Sequence, residues 1–363
     1  MKKVLCLVLV AAMMLSLAAC TGSSQQAATT TTTETAAATQ SSGTSAAAAP
    51  SAGEQTAEVY PFIISHADPL TANFHRAYMD VEAYLEASGL FDVTIHGNGE
   101  LTSNEAEGIQ QCIDGEIQMT QCPSFVLAAQ ANVPGYYVYD YPMFLNEEEY
   151  KTLAASDLMD DLAQQVYEKT GLKVGRAWVN GWFCIGVTSP VNSLDDLKGI
   201  KARASTATLT VAYLKELGMN PISMLSAEVY TGLQQGTIDG VYTPMRIFYD
   251  NKYYEVIRYI YRNNGSVPMQ LPLVNGEYYN SLPEEHRKVL DEALELFSNN
   301  VYKYAMEMQE DAIKEMVADG VVIVEPTEEE MATLKAAADK VLAEYAGEAG
   351  QDYIDRANAI LGR

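Results

Sequence analysis

Arg203 is the residue of this sequence whose type and position point most directly to chemistry. It lies near the carboxyl end of the predicted strand Ile200–Ala204, in a chain with 23 basic and 48 acidic residues. A guanidinium carries five N–H donors in a planar fork that matches the two oxygens of a carboxylate. Arg203 could therefore select an organic acid, although its position alone favours a structural salt bridge.

Three further side chains lie where predicted strands begin or end. His66 follows the predicted strand Val59–Ser65, where it is either a ligand contact or a solvated loop histidine. Trp182 and Phe183 precede the predicted strand Cys184–Thr188. They could line an apolar wall of a ligand site or pack in the core, and core packing is slightly favoured.

The sequence lacks the short motifs of hydrolases and metalloenzymes. It has no G-x-S-x-G, no H-E-x-x-H, no C-x-x-C and no histidine cluster. With four histidines and no convincing nucleophile–histidine pair, we expect no enzymatic activity, no cofactor and no metal site. The net charge of −25 argues against nucleic acid as a partner, because the two would repel each other.

The first 20 residues read as a signal peptide that precedes the fold. Lys2 and Lys3 come before an apolar run that is too short for a convincing membrane span, and Leu17-Ala18-Ala19-Cys20 forms a small-residue cleavage site. An ordinary secretory signal is one interpretation. The favoured one is a bacterial lipoprotein signal, with Cys20 lipidated and anchored to the extracytoplasmic face of the cell membrane. Residues 21–57, rich in Thr, Ala and Ser, are expected to form a disordered stalk.

Two stretches of the remaining chain alternate strands and helices. The first runs from Val59 to Thr120 and the second from Ile200 to Tyr242, and each reads β-α-β-α-β with glycine stops after its helices. This order predicts an α/β protein whose mostly parallel sheets are flanked by helices. Ligands of such sheets bind beyond the carboxyl ends of the strands, which is where Arg203 and His66 lie.

A long helix is predicted from Ser281 to Asp319. Ser281-Leu282-Pro283-Glu284 reads as a capping box, and apolar residues then recur every three to four positions. About 36 residues at about 1.5 Å each give roughly 54 Å, which exceeds one small domain. We expect this helix to bridge two domains, whereas a coiled-coil seam is the alternative.

The cysteines beyond Cys20 leave one pairing open. Cys112 and Cys122 could form a disulfide across a helix–strand turn, but buried free thiols are favoured for both and for Cys184.

Two motifs in the second half carry a family resemblance. The first is D-L-K-G-x-K-x-R at Asp196–Arg203, and the second is E-V-Y-x-x-L-Q-x-G-x-x-D-G at Glu228–Gly240. Together they resemble the extracytoplasmic solute-binding proteins of TRAP transporters, the DctP-type family. The resemblance implies a periplasmic-binding-protein-like clamshell of two lobes, closing on an organic acid that is delivered to a permease driven by an ion gradient. A binding lipoprotein for a different transporter or for a sensor kinase is the alternative.

The resemblance also implies ligand contacts and lobe boundaries. The carboxylate-binding arginine of the family falls on Arg203, Thr206 lies in the loop after it, and Thr243 stands where many members have asparagine. Where some members have a second arginine or an acidic residue, this chain has Phe183 and Pro123, which suggests a less polar pocket and a monocarboxylate with an aromatic or apolar body. The expected lobes are 58–180 plus 269–308 and 181–268 plus 309–363.

Overall fold

The computed structural model describes residues 58–179, 181–266 and 269–363. The predicted signal peptide, the lipidation of Cys20 and the stalk lie outside these residues. The strands are, in chain order, β1 (Tyr60–Ser65), β2 (Phe91–His96), β3 (Met119–Pro123), β4 (Leu172–Val174), β5 (Trp178–Val179), β6 (Phe183–Val187), β7 (Lys201–Ala204), β8 (Asn220–Ser223), β9 (Gly240–Pro244), β10 (Tyr259–Tyr261), β11 (Met269–Asn275) and β12 (Val322–Val324).

The helices alternate with these strands, and short 3-10 turns cover Pro134–Tyr139, Leu194–Leu197 and Tyr253–Glu255. The α-helices are α1 (Asn73–Ala87), α2 (Glu105–Asp114), α3 (Ser124–Gln130), α4 (Glu147–Ala154), α5 (Asp157–Thr170), α6 (Thr208–Glu216), α7 (Ser226–Gln234), α8 (Ile247–Asp250), α9 (Gly276–Ser281), α10 (Glu284–Ala318), α11 (Glu328–Ala349) and α12 (Gln351–Leu361).

The strands form two sheets, as the two β-α-β-α-β patterns predict. The first sheet has the order β2-β1-β3-β11-β4, with β5 also paired to β11, and the second has the order β12-β10-β6-β9-β7-β8. The units β1-α1-β2-α2-β3 and β7-α6-β8-α7-β9 are parallel. Both sheets are nevertheless mixed, because β11 pairs antiparallel with β3 and β6 pairs antiparallel with β9 and β10. The α/β, two-lobed fold class is confirmed in this mixed form.

Local capping signals explain several helix boundaries. Asn104 accepts a hydrogen bond from the Glu107 amide at the start of α2, and Gly115 ends that helix with a φ of 77°. Thr327 and Glu330 form the predicted capping box of α11. Ser281 does not cap the long helix as predicted. It ends α9 and donates to the Tyr278 carbonyl, because Leu282 and Pro283 are extended before α10 begins.

The predicted helix over residues 147–169 is two helices. Asn146 caps α4 with a capping box, and the helix stops at Ala154. The hydroxyl of Ser156 donates back to the Leu153 carbonyl at 2.7 Å, which satisfies the end of α4 while the chain turns into α5.

The long helix α10 has 35 residues and contacts both sheets. Leu290, Leu294 and Phe297 pack in the core of the first sheet with Phe62 and Phe74. Near its carboxyl end, Met316 packs in the core of the second sheet, together with Val241 and Ile260. The prediction that this helix bridges the lobes is confirmed.

The carboxyl-terminal helices also contact elements from both halves of the chain. Helix α11 packs on α6 and on Pro134–Tyr139, and α12 packs on α4 and α5. Cys112, Cys122 and Cys184 are buried free thiols, as favoured from the sequence. In the described ranges, no helix is both long enough and apolar enough to cross a bilayer.

Candidate ligand-binding site

Arg203 lies near the carboxyl end of β7, a central strand between β8 and β9. Its Nε donates to the Met224 carbonyl at 3.0 Å. Within the described part of the chain, the guanidinium makes no ion pair, and its two terminal nitrogens make no hydrogen bond. Burial lowers the pKa of Arg203, while Tyr253 and Glu105 oppose that shift. A half-buried guanidinium whose terminal nitrogens have no partner can bind an external carboxylate.

Thr243 and Thr206 lie on the same sheet edge as Arg203. Arg203 is in register with Val241 of β9, so Thr243, two residues further on, projects from the same face of the sheet. Thr243 is 4% exposed, and Thr206 is exposed in the loop between β7 and α6. Arg203 and Thr243 therefore share one face of the second sheet, and Thr206 lies in the loop that follows β7.

Phe183 and Trp182 lie beside this edge but pack inward. Phe183 is opposite Pro244 in the β6–β9 ladder, and its ring meets Tyr242 edge-on at 5.0 Å. Since neighbouring positions of a strand face opposite sides, Phe183 and Arg203 project from opposite faces of the second sheet. The Trp182 carbonyl accepts the Met245 amide at 3.2 Å, and its side chain is half-buried against the core.

His66 is buried at the carboxyl end of β1 rather than solvated. It is 1% exposed, and its ring stacks on Tyr78 at 5.2 Å between centroids. Its Nε2 lies 3.1 Å from Nδ1 of His75. Burial, and then the charge of His75, lower the pKa of His66 to about 4, so its ring is neutral at neutral pH. Contact between His66 and a ligand remains a prediction.

Asp68 is a feature of the site that sequence reasoning missed. It lies three residues beyond β1, and its carboxylate accepts Nε2 of Gln121 at 3.0 Å. Burial first, followed by the charges of Glu105 and Asp250, raises the pKa of Asp68 to about 7. The sequence places His66 at the end of this strand, but only the fold brings Gln121 of β3 against Asp68.

Acidic residues of both sheets influence the pKa values of Asp68 and Arg203. Glu105 begins α2 on the first sheet, and its charge acts on both Asp68 and Arg203. Asp250 ends α8 on the second sheet, and its charge acts on Asp68. Because such effects fall off with distance, we expect the ends of β1 and β7 to border one common site.

Arg246 and Asp250 form a buried ion pair at this site that the sequence did not reveal. Arg246 Nε and one terminal nitrogen donate to the two Asp250 oxygens, each at 2.7 Å. Their side chains are 4% and 2% exposed. The i, i+4 spacing after β9 was a signal that could have predicted the pair. Arg246 is thereby neutralised, whereas Arg203 is not.

The chain forms two mixed α/β lobes, and the guanidinium of Arg203, which has no ion-pair partner among the described residues, lies at the carboxyl edge of the second sheet. This arrangement is that of a two-lobed ligand-binding protein. The sequence model of bacterial extracellular solute-binding protein family 7, DctP, matches residues 65–348. The chain belongs to this family, whose members bind solutes outside the cytoplasm.

Individual relatives agree with this assignment. The 2,3-diketo-L-gulonate-binding periplasmic protein YiaO of Escherichia coli K12 is 32% identical over 166 residues, which are 46% of this chain and 50% of YiaO. The C4-dicarboxylate-binding periplasmic protein DctP of Rhodobacter capsulatus is 25% identical over 229 residues, 63% of this chain and 68% of that protein.

A solved structure supports the fold. The sugar acid binding protein DctPAm of Advenella mimigardefordensis, in complex with galactonate, superposes with a TM-score of 0.78 at 22% identity. The superposition covers 84% of this chain and 98% of that protein.

Proposed function

We propose that this protein captures an organic acid between its two lobes, with Arg203 binding the carboxylate. The observation that carries the proposal is the state of Arg203. The side chain is half-buried, its guanidinium is held by one hydrogen bond to the Met224 carbonyl, and it has no carboxylate partner among the described residues. Because Arg203 is half-buried and its two terminal nitrogens are unused, it can offer a carboxylate ligand a charge-assisted bidentate contact.

The solutes of the relatives support an acid as the ligand. The names of two relatives specify 2,3-diketo-L-gulonate and C4-dicarboxylates, and the structural neighbour holds galactonate. All three are carboxylic acids. Thr206 and Thr243 border Arg203 and offer hydroxyls for the remaining polar groups of such a ligand.

The proposed partner is the membrane permease of a TRAP transporter, to which the loaded protein delivers its ligand. In this proposal Cys20 carries the lipid that tethers the protein to the extracytoplasmic face of the membrane. We expect the lobes to be 58–180 plus 269–308 and 181–268 plus 309–363, with the chain crossing between them near Phe183, whose amide donates to the Ser266 carbonyl at 2.9 Å.

Native mass spectrometry of the full chain, purified without refolding, identifies a co-purified ligand, and we expect an organic acid. At about 100 times its dissociation constant, this acid should stabilise the fold by about 2.7 kcal/mol. Arg203→Gln should remove most of that stabilisation while the variant stays folded.

Arg262→Gln is the matched control. Arg262 belongs to the same lobe, its side chain is 40% exposed, and it pairs with Glu325. We expect this variant to keep the full ligand-induced stabilisation. Equal stabilisation of wild type and Arg203→Gln would remove Arg203 from the site.

A further inference from the structure

The end of β1 gathers hydrogen-bond acceptors that the described residues leave unsatisfied. The carboxylate of Asp68 accepts one side-chain hydrogen bond, from Nε2 of Gln121 at 3.0 Å. The Oε1 atom of the same Gln121 amide is fully buried and has no partner, and Gln121 is only 4% exposed. Since Nε2 of this amide contacts Asp68, its unpartnered oxygen lies beside that carboxylate. A buried acceptor without a donor costs free energy, so a donor is expected there.

Among the acids of this edge, Asp68 and Glu105 have no Lys or Arg partner in the described ranges. The nearest nitrogen of a basic residue to Asp68 is His66 Nδ1, at 3.9 Å, and His66 is neutral because burial lowers its pKa to about 4. Glu105 makes no salt bridge to a described Lys or Arg, whereas Asp250 is already paired with Arg246. The first lobe therefore presents uncompensated negative charge to the site, and the second lobe presents the uncompensated Arg203.

We propose that the ligand is zwitterionic, with a protonated amine bound by Asp68 and Gln121 and a carboxylate bound by Arg203. This inference rests on the proposed function and narrows its ligand class. An ammonium group supplies both the charge that Asp68 and Glu105 lack and the N–H donor that Gln121 Oε1 lacks. A neutral hydroxyl would satisfy the amide oxygen and leave the charge uncompensated.

A bound metal ion would supply the same charge but fits the site less well. In the part of the chain that the structure describes, no group of three or more His, Cys, Asp or Glu side chains could hold a metal ion. A cation site formed by one carboxylate and one amide oxygen suits an ammonium group, which needs fewer oxygen contacts than Ca²⁺.

The test measures the thermal shift of the full chain at pH 8 with α- and ω-amino acids, each paired with its deaminated acid. We expect at least one amino acid to raise the unfolding temperature more than its deaminated partner. Asp68→Asn should abolish that difference, because asparagine keeps an oxygen for Gln121 but removes the charge. Asp92→Asn, at an exposed position of neighbouring β2, is the matched control and should keep the difference.

The pH dependence gives a second readout. Binding the amine requires an ionised Asp68, which is surrounded by His66, Tyr78, Glu105 and the Asp250–Arg246 pair. Because the pKa of Asp68 is raised to about 7, affinity for the amino acid should rise about tenfold from pH 6 to pH 8. The Asp68→Asn variant should lose this rise.

Other outcomes would overturn the inference in distinguishable ways. If deaminated acids bind through Arg203 as well as or better than the amino acids, with or without added Ca²⁺ or Na⁺, the proposed function stands and the zwitterionic ligand is wrong. If Asp68→Asn keeps the preference for amines, Asp68 does not bind them. If no carboxylate of the panel binds, both proposals fail.

Discussion

Replacement of Asp68 by asparagine should stabilise the ligand-free protein, and increasingly so at higher pH. Burial, followed by Glu105 and Asp250, raises the pKa of Asp68 from 3.8 to about 7. At roughly 1.36 kcal/mol per pKa unit, this shift corresponds to at most about 4 kcal/mol of destabilisation once the carboxyl is ionised. The side chain is 23% exposed, which reduces the effect to about 2–3 kcal/mol.

The sign follows from which state holds the proton. Between pH 4 and pH 7 the folded protein keeps the Asp68 proton that the unfolded chain has released, so stability falls as pH rises through this range. Asparagine cannot ionise and still accepts the bond from Gln121. Burial lowers the pKa of His66 in the folded protein to about 4, so His66 makes stability rise with pH. Because His66 is present in both proteins, its contribution cancels from the stability difference between Asp68→Asn and wild type.

The assay is urea denaturation of ligand-free wild type, Asp68→Asn and Asp92→Asn at pH 5 and pH 8. The free energy of unfolding of Asp68→Asn, relative to wild type, should increase by about 2 kcal/mol from pH 5 to pH 8, whereas that of Asp92→Asn should change with pH as wild type does. A difference that is independent of pH, or a loss of stability in Asp68→Asn at pH 8, would refute the reasoning.

Two further predictions concern other parts of the molecule. Asp250→Asn should lower the free energy of unfolding in urea by about 3–5 kcal/mol, because it leaves Arg246 buried without its counter-ion. The double variant Arg246→Met/Asp250→Leu removes both charges and should lower the free energy of unfolding by less. A larger loss in the double variant would contradict this. A reducing agent should leave the unfolding temperature unchanged, because Cys112, Cys122 and Cys184, the cysteines of the described ranges, are free thiols and burial raises the pKa of Cys184 to about 12. Rapid reaction of the native protein with a thiol reagent would show that the thiols are accessible.

Local signals in the sequence were sufficient for the elements that carry their own caps and stops. Helices α2 and α11 begin at the capping residues Asn104 and Thr327, and α10 runs as far as its apolar periodicity indicates. The strand-end position of Arg203 could also be predicted, whereas its role as a ligand contact came from the family resemblance and stays a prediction.

Strand β11 shows what local patterns could not provide. It contains Pro272, which lacks an N–H and is normally confined to edge strands, yet β11 lies between β3 and β4. The Pro272 carbonyl accepts the Gly175 amide at 2.8 Å, so the position is accommodated by the chain around it. Long-range pairing overrides the local preference here. Because β11 runs antiparallel to β3, the first sheet is mixed.

The acidic residues of the site could not be predicted from the sequence for a similar reason. Asp68, Glu105 and Asp250 are far apart in the chain, and none follows a recognisable motif. The charges of Glu105 and Asp250 act on Asp68, which depends on the packing of whole lobes. The expectation of a less polar pocket rested on Phe183 and Pro123 and did not include these carboxylates.

The central claim, that Arg203 binds the carboxylate of the ligand, is tested most directly by calorimetric titration of the co-purified acid into wild type, Arg203→Gln and Arg262→Gln. Loss of a bidentate, charge-assisted contact worth about 3 kcal/mol predicts affinity about 100-fold weaker for Arg203→Gln and unchanged for Arg262→Gln. Equal affinity of wild type and Arg203→Gln would contradict the account.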